Sequence, residues 1–466
     1  MLNRHREVQQ ATIEWFHNHQ RRDLPWRKYP SLTSSVGGVA TGGVASWAPD
    51  PYYVWVSEVM SQQTQMDTVI PYFKKWVHLF PTVAALAEAS EESVKAAWAG
   101  MGYYRRALLL KKGAEYVTHR FGGNLPGTAA QLREIPGIGP YTAAAVASIC
   151  FGENVVSVDG NVVRVLSRLR CERDFDPKVA KNIKAVMQWG QEIMEDAPSE
   201  EPGAFNQGLM EIGARVCKPA GRPVCGECPL QRFCRAYAAR ERGEIDAIEG
   251  VIPLRASTVK KKKQTVLCVV HEFCHVENGE TPLSRRFVVF QRPENGLLGG
   301  MLEFPSAICG TSCDAAPKEK EEKEQKENNA DDDDEKTIVK LKEQLSAGHK
   351  AVASVGSIRH IFSHIDMGVL VYHAAWCGTT PHHGGDTTGL KVEKDKSSWA
   401  VEQEVCGLLA ERLGVASSRI FVKTEEEIKG SAASRLLLKI FQTLPLPVGE
   451  RAVTVTPVRK RLRGKM

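Results

Sequence analysis

The 466-residue sequence has no run of eighteen apolar residues, so no segment reads as a bilayer-spanning helix. Its opening, MLNRHREVQQ, carries charge but no apolar core. That argues against a secretory signal, and the early Glu7 argues against a mitochondrial presequence. No repeat period runs through it. It also lacks a strong charge of either sign: 61 Lys and Arg against 55 Asp and Glu leave +6, which tolerates a polyanionic partner without requiring one. With 42% apolar and 25% charged residues it is neither fibrous nor wholly disordered. Its length suits two or three domains of about 150 residues each.

Without an export signal the expected compartment is reducing, so the 12 cysteines do not read as a disulfide framework. Eight are scattered, and four form Cys217-x7-Cys225-x2-Cys228-x5-Cys234. Four thiolates this close together can hold a [4Fe–4S] cluster or a zinc ion. Zinc sites usually pair two short hooks, and only one is present, whereas uneven loops suit a cluster ligated at separate corners. Lys218, Arg222, Arg232 and Arg235 surround the loop with positive charge that could press against phosphate.

The chain divides by texture. Residues 1–240 read as mostly helical, with amphipathic segments such as PYFKKWVHLFP and ESVKAAWAGMGYY between Gly and Pro punctuation. The Gly/Ala/Ser-rich stretch 31–46 reads as a surface insertion, and 241–264 as a linker. From Thr265 to residue 445, β-branched and aromatic runs such as TVLCVVHEF and RRFVVFQR predict a mixed α/β domain. It is interrupted at 314–350 by a highly charged insertion expected to be disordered. A basic tail, 446–466, follows.

Two features carry chemistry in the helical part. LREIPGIGPYTAAA, with Thr128 as a cap ahead of it, reads as helix, tight turn, helix: Gly137 and Gly139 permit positive φ, and Pro140 suits a first helical turn. Such a turn exposes backbone N–H groups where the helix dipole favours an anion, a phosphate clamp blind to sequence; it reads equally as a plain structural turn. About twenty positions on, Asp159 precedes the helix NVVRVLSRL, as an ordinary N-cap or as a reactive anion.

Together the hairpin, Val158-Asp159-Gly160-Asn161 and the four-cysteine loop resemble the helix-hairpin-helix DNA glycosylases with an iron–sulfur loop. LPWR (24–27), PYYVWVSEVMSQQTQMDTVIPYF (51–73) and WAGMGYYRRA (98–107) narrow the resemblance to the MutY adenine DNA glycosylase family. QRPENGLLGGMLEFP and HIFSH are similar to that family's MutT-like (Nudix-like) C-terminal domain. The implied architecture is an all-α glycosylase domain with an iron–sulfur loop, then an α/β lesion-recognition domain.

The resemblance implies a catalytic set and a DNA-binding set. Glu58, in the apolar stretch YVWVSEVM, would have a raised pKa and protonate adenine; without the resemblance it reads as a half-exposed helical glutamate. Asp159, kept ionised by the helix start, would stabilise or trap the sugar cation, supported by Asn161 and Tyr141. Related bifunctional enzymes carry a lysine where Tyr141 stands, and tyrosine cannot form an imine, so a monofunctional enzyme is expected. The DNA-binding set is Arg27, Gln63, Thr64, Met101, Tyr103, Gly137, Gly139, His360, Phe362, Ser363 and His364. Gln63 would enter the base stack from a break between helices, with Thr64 and Asp67 restarting the next helix as a capping-box-like pair. Tyr103, on a second Gly-hinged turn, would wedge beside the opposite base. Arg105 and Arg106 could hold phosphate.

In the second domain Phe362 would wedge, Ser363 would bond 8-oxoguanine, and His360 and His364 would steady that loop; its strand-like surroundings argue against a histidine metal pair. The Gly-x5-Glu-x7-Arg-Glu-x2-Glu-Glu box of nucleotide hydrolases is absent, so the domain reads as a binding module. Departures from the family are few: Met101 and Ser61 replace the usual leucines, and the first cysteine gap is seven instead of six. The implied partner is double-stranded DNA with A:8-oxoguanine or A:G mispairs, met by a monomer away from membranes. The implied location is the nucleus, with a mitochondrial pool as an alternative. Rival readings are an oxidised-pyrimidine glycosylase/lyase and a non-catalytic lesion-binding protein.

Overall fold

The computed structural model describes residues 2–27, 49–254, 261–274, 285–293, 295–312, 336–362, 364–377, 398–431 and 433–445. The expected insertion at 31–46, the acidic segment 314–335 and the tail 446–466 lie outside these. The chain forms two compact units, residues 1–258 and 259–466. Among the described residues no helix is long and apolar enough to cross a membrane.

The first unit is helical: α1 (Leu2–His19), α2 (Pro51–Ser61), α3 (Met66–Leu79), α4 (Val83–Glu88), α5 (Glu91–Trp98), α6 (Arg105–Phe121), α7 (Ala129–Leu132), α8 (Pro140–Phe151), α9 (Gly160–Arg170), α10 (Ala180–Asp196), α11 (Pro202–Arg215) and α12 (Arg235–Glu241). It has two cores. One gathers Trp55, Phe73, Trp76, Trp98, Leu110 and Val146; the other gathers Val162, Leu166, Val186, Phe205, Leu209 and Ile212. Helix α8 packs on α2, α7 and α11, and its residues Thr142–Ser148 are all buried. Small side chains explain this: an Ala-rich helix, apolar all round, lets neighbours approach from every side.

The hairpin forms as expected in most details. Thr128 caps α7 by accepting from the Gln131 amide, and Pro140 opens α8. Gly137 has φ +86°, and a Cβ there would sit 2.7 Å from Leu109 Cβ. Gly139 departs from expectation: its φ is −87°, so it serves as an extended N-cap without a side chain, leaving the first amides of α8 open.

The second unit is a mixed sheet of β1 (Lys262–Cys274), β2 (Arg285–Gln291), β3 (Leu302–Glu303), β4 (Ser306–Ser312), β5 (Ala353–Ile361), β6 (Ile365–Cys377) and β7 (Ile420–Thr424), in the order β3-β2-β1-β6-β5, with β4 on β1 and β7 on β2. Strands β1 and β6 run parallel; β5 and β6 are antiparallel across residues 362–364. Along β1, Val266, Cys268 and Val270 face one core and Leu267 and Val269 another. The sheet is covered on both faces, which is why TVLCVV reads as an unbroken apolar run instead of an alternation. The covering helices are α13 (336–345), α14 (Ser398–Leu413), α15 (Glu425–Gly430) and α16 (Arg435–Phe441).

Two boundaries need correction. The linker begins too early at 241: Ile248 and Ile252 are buried against α12, and the Leu254 amide donates to the Phe175 carbonyl at 2.8 Å. Local composition hid this, because two isoleucines suffice to anchor the segment. The acidic insertion ends too late at 350, because α13 carries the buried Leu345, whose carbonyl bonds His271 Nε2 at 2.7 Å. Gly137→Ala should destabilise the first unit by at least about 1 kcal/mol, since positive φ and the Leu109 clash act together; thermal unfolding of the purified chain measures it.

Candidate active site

Glu58, Tyr141 and Asp159 meet where the two helical cores adjoin. Helix α2 buries Tyr52 through Ser57 and then Val59 and Met60, so Glu58 is the carboxyl in a mostly buried helix. Its carboxylate Oε2 accepts a short hydrogen bond from the Tyr141 hydroxyl in the first turn of α8, and that hydroxyl also lies 3.7 Å from Met210 Sδ on α11. Burial pushes Glu58 up to about 7; the Tyr141 bond holds it down, the charge of Asp159 raises it and that of Arg27 lowers it. Glu58 therefore lies within the field of Asp159.

Asp159 caps α9. Its Oδ1 accepts from the amides of Asn161 at 2.9 Å and Val162 at 2.8 Å, and its Oδ2 from Asn161 Nδ2 at 2.6 Å. Burial raises its pKa above the usual aspartate value, against which these bonds and the Arg164 charge pull. The anionic form thus depends on donated hydrogen bonds and a nearby cation, and not on the helix start alone. The segment leading to Asp159 is pinned from behind. Asn206, fully buried, accepts from the Ser157 amide at 2.9 Å and donates to the Val155 carbonyl at 2.9 Å, while Ser157 Oγ donates to the Tyr141 carbonyl at 3.1 Å.

A line of hydrogen bonds runs from Asp159 to the cysteine loop. Arg164 donates through Nη2 to Asn161 Oδ1 and the Gly213 carbonyl, both at 2.7 Å, and through Nε to the Cys217 carbonyl at 2.7 Å. Arg168 donates to Cys217 Sγ at 3.2 Å. Short 3-10 turns at Cys225–Glu227 and Gln231–Phe233 bring Cys228 and Cys234 round, and Cys234 Sγ caps α12 by accepting from the Tyr237 amide. Burial pushes the Cys228 thiol up to about 12 and Cys234 up to about 11, with the other loop cysteines adding repulsion. Among the described residues no three His, Cys, Asp or Glu side chains are gathered closely enough for a metal ion. The four sulfurs nevertheless share one electrostatic neighbourhood, with Arg168, Arg222 and Arg240 close by. Four half-buried cysteines in one neighbourhood, with N–H donors from Arg168 to Cys217 Sγ and from the Tyr237 amide to Cys234 Sγ, are a thiol-rich donor set of the kind that fits a bound cationic centre.

Two exposed tips lie at the loops that follow α2 and precede α6. Gln63 (φ +56°) lies in the break between α2 and α3, and Tyr103 (φ +50°) lies just before α6, with half its surface exposed. Arg106 is buried between them, and burial lowers its pKa to about 10.

Residues 56–189 match the model of the HhH-GPD superfamily of base excision DNA repair proteins. The sequence is 34% identical over 399 residues to the adenine DNA glycosylase of Rattus norvegicus, covering 79% of this chain and 70% of that one. It is 32% identical over 449 residues to that of Mus musculus, covering 90% and 78%. It is 34% identical over 409 residues to that of Homo sapiens, covering 80% and 67%. The chain belongs to the adenine DNA glycosylase family.

Of the residues that the family resemblance picked out, the predicted catalytic four are brought together. Glu58, Asp159, Tyr141 and Asn161 share one site, but Tyr141 bonds Glu58, where support of Asp159 was expected. Arg27 is not a free DNA contact: it pairs with Glu211 at 2.8 Å, bonds Gln207 at 3.1 Å and the Arg21 carbonyl at 2.9 Å, and lies over the Phe16 ring. Thr64 does not cap α3, which starts at Met66 behind Gln65; its hydroxyl instead accepts from Arg106 at 3.2 Å. Arg106 is correspondingly withdrawn from phosphate. Met101 is buried, and its amide donates to the Trp98 carbonyl at 3.1 Å. Gly137 and Gly139 lie exposed at the hairpin. In the second unit His360 lies near the end of β5 with its ring edge-on to Phe362 at 4.5 Å, and His364 is exposed just before β6. Ser363 lies outside the described residues.

Glu211, Arg164 and Met210 went unnoticed in the sequence. Glu211 is 1% exposed, and the charges of Arg27 and Arg21 outweigh the burial that would raise its pKa, leaving it below the usual value. A charge inside an apolar helical run (LMEIG, NVVRVLS) is the signal that could have found the first two. For Glu58 the linkage is clear in sign. Its folded value near 7 lies above the ordinary 4.5, so the wild type loses stability as pH rises from 4.5 through 7. Glu58→Gln should therefore raise the melting temperature at pH 8 more than at pH 5, read by thermal unfolding at both.

Proposed function

We propose that the chain is a monofunctional adenine DNA glycosylase that removes adenine mispaired with 8-oxoguanine or guanine in double-stranded DNA. The observation that carries the reading is the half-buried pair of carboxyls, Glu58 held by the Tyr141 hydroxyl and Asp159 by the Asn161 and Val162 donors, close enough that the Asp159 charge acts on Glu58. Breaking a glycosidic bond asks for a proton on the leaving base and a negative charge beside the developing sugar cation. Near neutral pH a substantial share of Glu58 is protonated. With Oε2 taken by Tyr141, Oε1 is the oxygen left to protonate a ring nitrogen of adenine. The C1′–N9 bond then breaks with its electrons going to the base. Asp159, its carboxylate fixed by three hydrogen bonds, stabilises or traps the cation, and water adds to C1′ with loss of a proton. Tyr141 cannot form an imine, which supports base release without strand cleavage.

The hairpin amides at the start of α8 would hold a phosphate. Gln63 and Tyr103 would enter the base stack as adenine leaves it, and the turn carrying His360, Phe362 and His364 in a MutT-like second domain would read 8-oxoguanine. Cys217, Cys225, Cys228 and Cys234 would hold a [4Fe–4S] cluster, which would fix the loop that Arg164 and Arg168 contact. The basic residues 459–465 would direct the protein to the nucleus.

Single-turnover adenine release from an A:8-oxoguanine duplex tests the chemistry. Asp159→Asn and Glu58→Gln should each slow release by about a thousandfold or more while leaving lesion binding nearly intact. Tight binding without release by the wild type would indicate a binding protein, and a borohydride-trappable adduct with strand scission would indicate a lyase. Release should fall about tenfold per pH unit above pH 7, as the acidic form of Glu58 is lost. Cys225→Ser should lose visible absorbance and solubility together; a soluble, active, colourless variant counts against a structural cluster.

A further inference from the structure

Arg106 occupies a position that the catalytic reading does not use. It stands in the first turn of α6, and its guanidinium reaches back across the unit. Nη1 donates to the carbonyls of Val59 at 3.0 Å, Met60 at 3.1 Å and Gln62 at 2.6 Å, where α2 ends. Nη2 donates to Thr64 Oγ1 and to the Gly102 carbonyl, both at 3.2 Å. The charge also lies 5.2 Å from the Trp98 ring and 5.5 Å from the Tyr103 ring. Among the described residues no carboxylate pairs with it. A cation at a helix C-terminus with its donors on open carbonyls is a favourable arrangement, but here one side chain also ties two separate loops together.

Those loops hold Gln63 and Tyr103, both non-glycine residues at positive φ. L-residues adopt that conformation at a cost and keep it where the surroundings over-determine it. Arg106 fixes the residue before Gln63, the residue after it and the residue before Tyr103. We propose that Arg106 is a positioning residue for base extrusion: it holds Gln63 and Tyr103 in their projecting conformations before DNA arrives, so that the cost of ordering both tips is met in folding and not in binding. The inference rests on the proposed entry of those two side chains into the base stack. It needs the arginine fork. A lysine is a point charge on a flexible stem and cannot span two loops with fixed geometry.

The test uses the full chain and two duplexes, one with adenine opposite 8-oxoguanine and one with adenine opposite an abasic-site analogue, where extrusion meets less resistance. Rates are single-turnover, normalised to the active fraction, for Arg106→Gln, Arg106→Lys, Gln63→Ala, Tyr103→Ala and the double variant Arg106→Gln/Tyr103→Ala. Arg106→Gln should slow release from the 8-oxoguanine pair by about tenfold to a hundredfold, with a much smaller effect opposite the abasic analogue. Arg106→Lys should show the same differential, and decides the matter if the glutamine variant does not fold. The double variant should be little slower than Tyr103→Ala alone. Equal slowing on both duplexes, or additive losses in the double variant, would overturn the positioning role. If Gln63→Ala and Tyr103→Ala leave both rates unchanged, the base-stack reading itself fails and the role built on it falls with it. If they slow release while both Arg106 variants do not, only the role of Arg106 fails.

Discussion

Bringing two half-buried carboxyl groups to one site is the constraint on which the surrounding hydrogen-bond network depends. Like charges in an apolar seam repel, and burial penalises each ionised form. The structure meets this asymmetrically. Glu58 lies in an apolar helix with one donor, Tyr141, and is drawn to near-neutral titration. Asp159 lies at a helix start with three donated hydrogen bonds and Arg164 nearby, which work against the same burial. One fold thus supplies a candidate proton donor and a candidate anion from nearly the same side chain, differing by a methylene and an environment.

Holding that arrangement recruits residues far from it in sequence. Asn206 on α11 fixes the strand-like run into Asp159, Arg164 fixes Asn161 and the end of α11, and Arg168 reaches the first cysteine of the loop. The loop therefore bears on the anion through hydrogen bonds that all pass along one face of α9. Buried polar networks of this kind rigidify when fully satisfied and are costly when broken. On the opposite side, Arg27 and Glu211 neutralise each other close enough for Arg27 to act on Glu58. The site is a set of buried and half-buried polar groups, most of them hydrogen-bonded, between two apolar cores.

Much of this was legible in the residues. The Pro-Gly-Ile-Gly-Pro turn, the cap at Thr128, the acid in YVWVSEVM and the aspartate before a helix are local features, and local chemistry fixes their structure. The errors were of one kind. Gly139 was given positive φ, Thr64 a cap and Arg106 a phosphate, because the sequence shows which residue types are present but not which distant carbonyls need a donor. Arg106 satisfies carbonyls more than forty positions upstream, and no local pattern reveals that. The ordered stretch at 245–254 escaped for the same reason: its anchors are two isoleucines whose partners lie on α12.

By itself, the sequence determined the helical and sheet-bearing halves, the hairpin, the cysteine spacing and the two acids, since periodicity, turn residues and spacing act over a few positions. Tertiary structure alone decided that Tyr141 bonds Glu58, that Arg27 is consumed by Glu211, and that Arg106 joins the loops of Gln63 and Tyr103. Each of those pairings follows from how helices distant in the chain pack, and burial then sets which charges must be partnered and which protons are held.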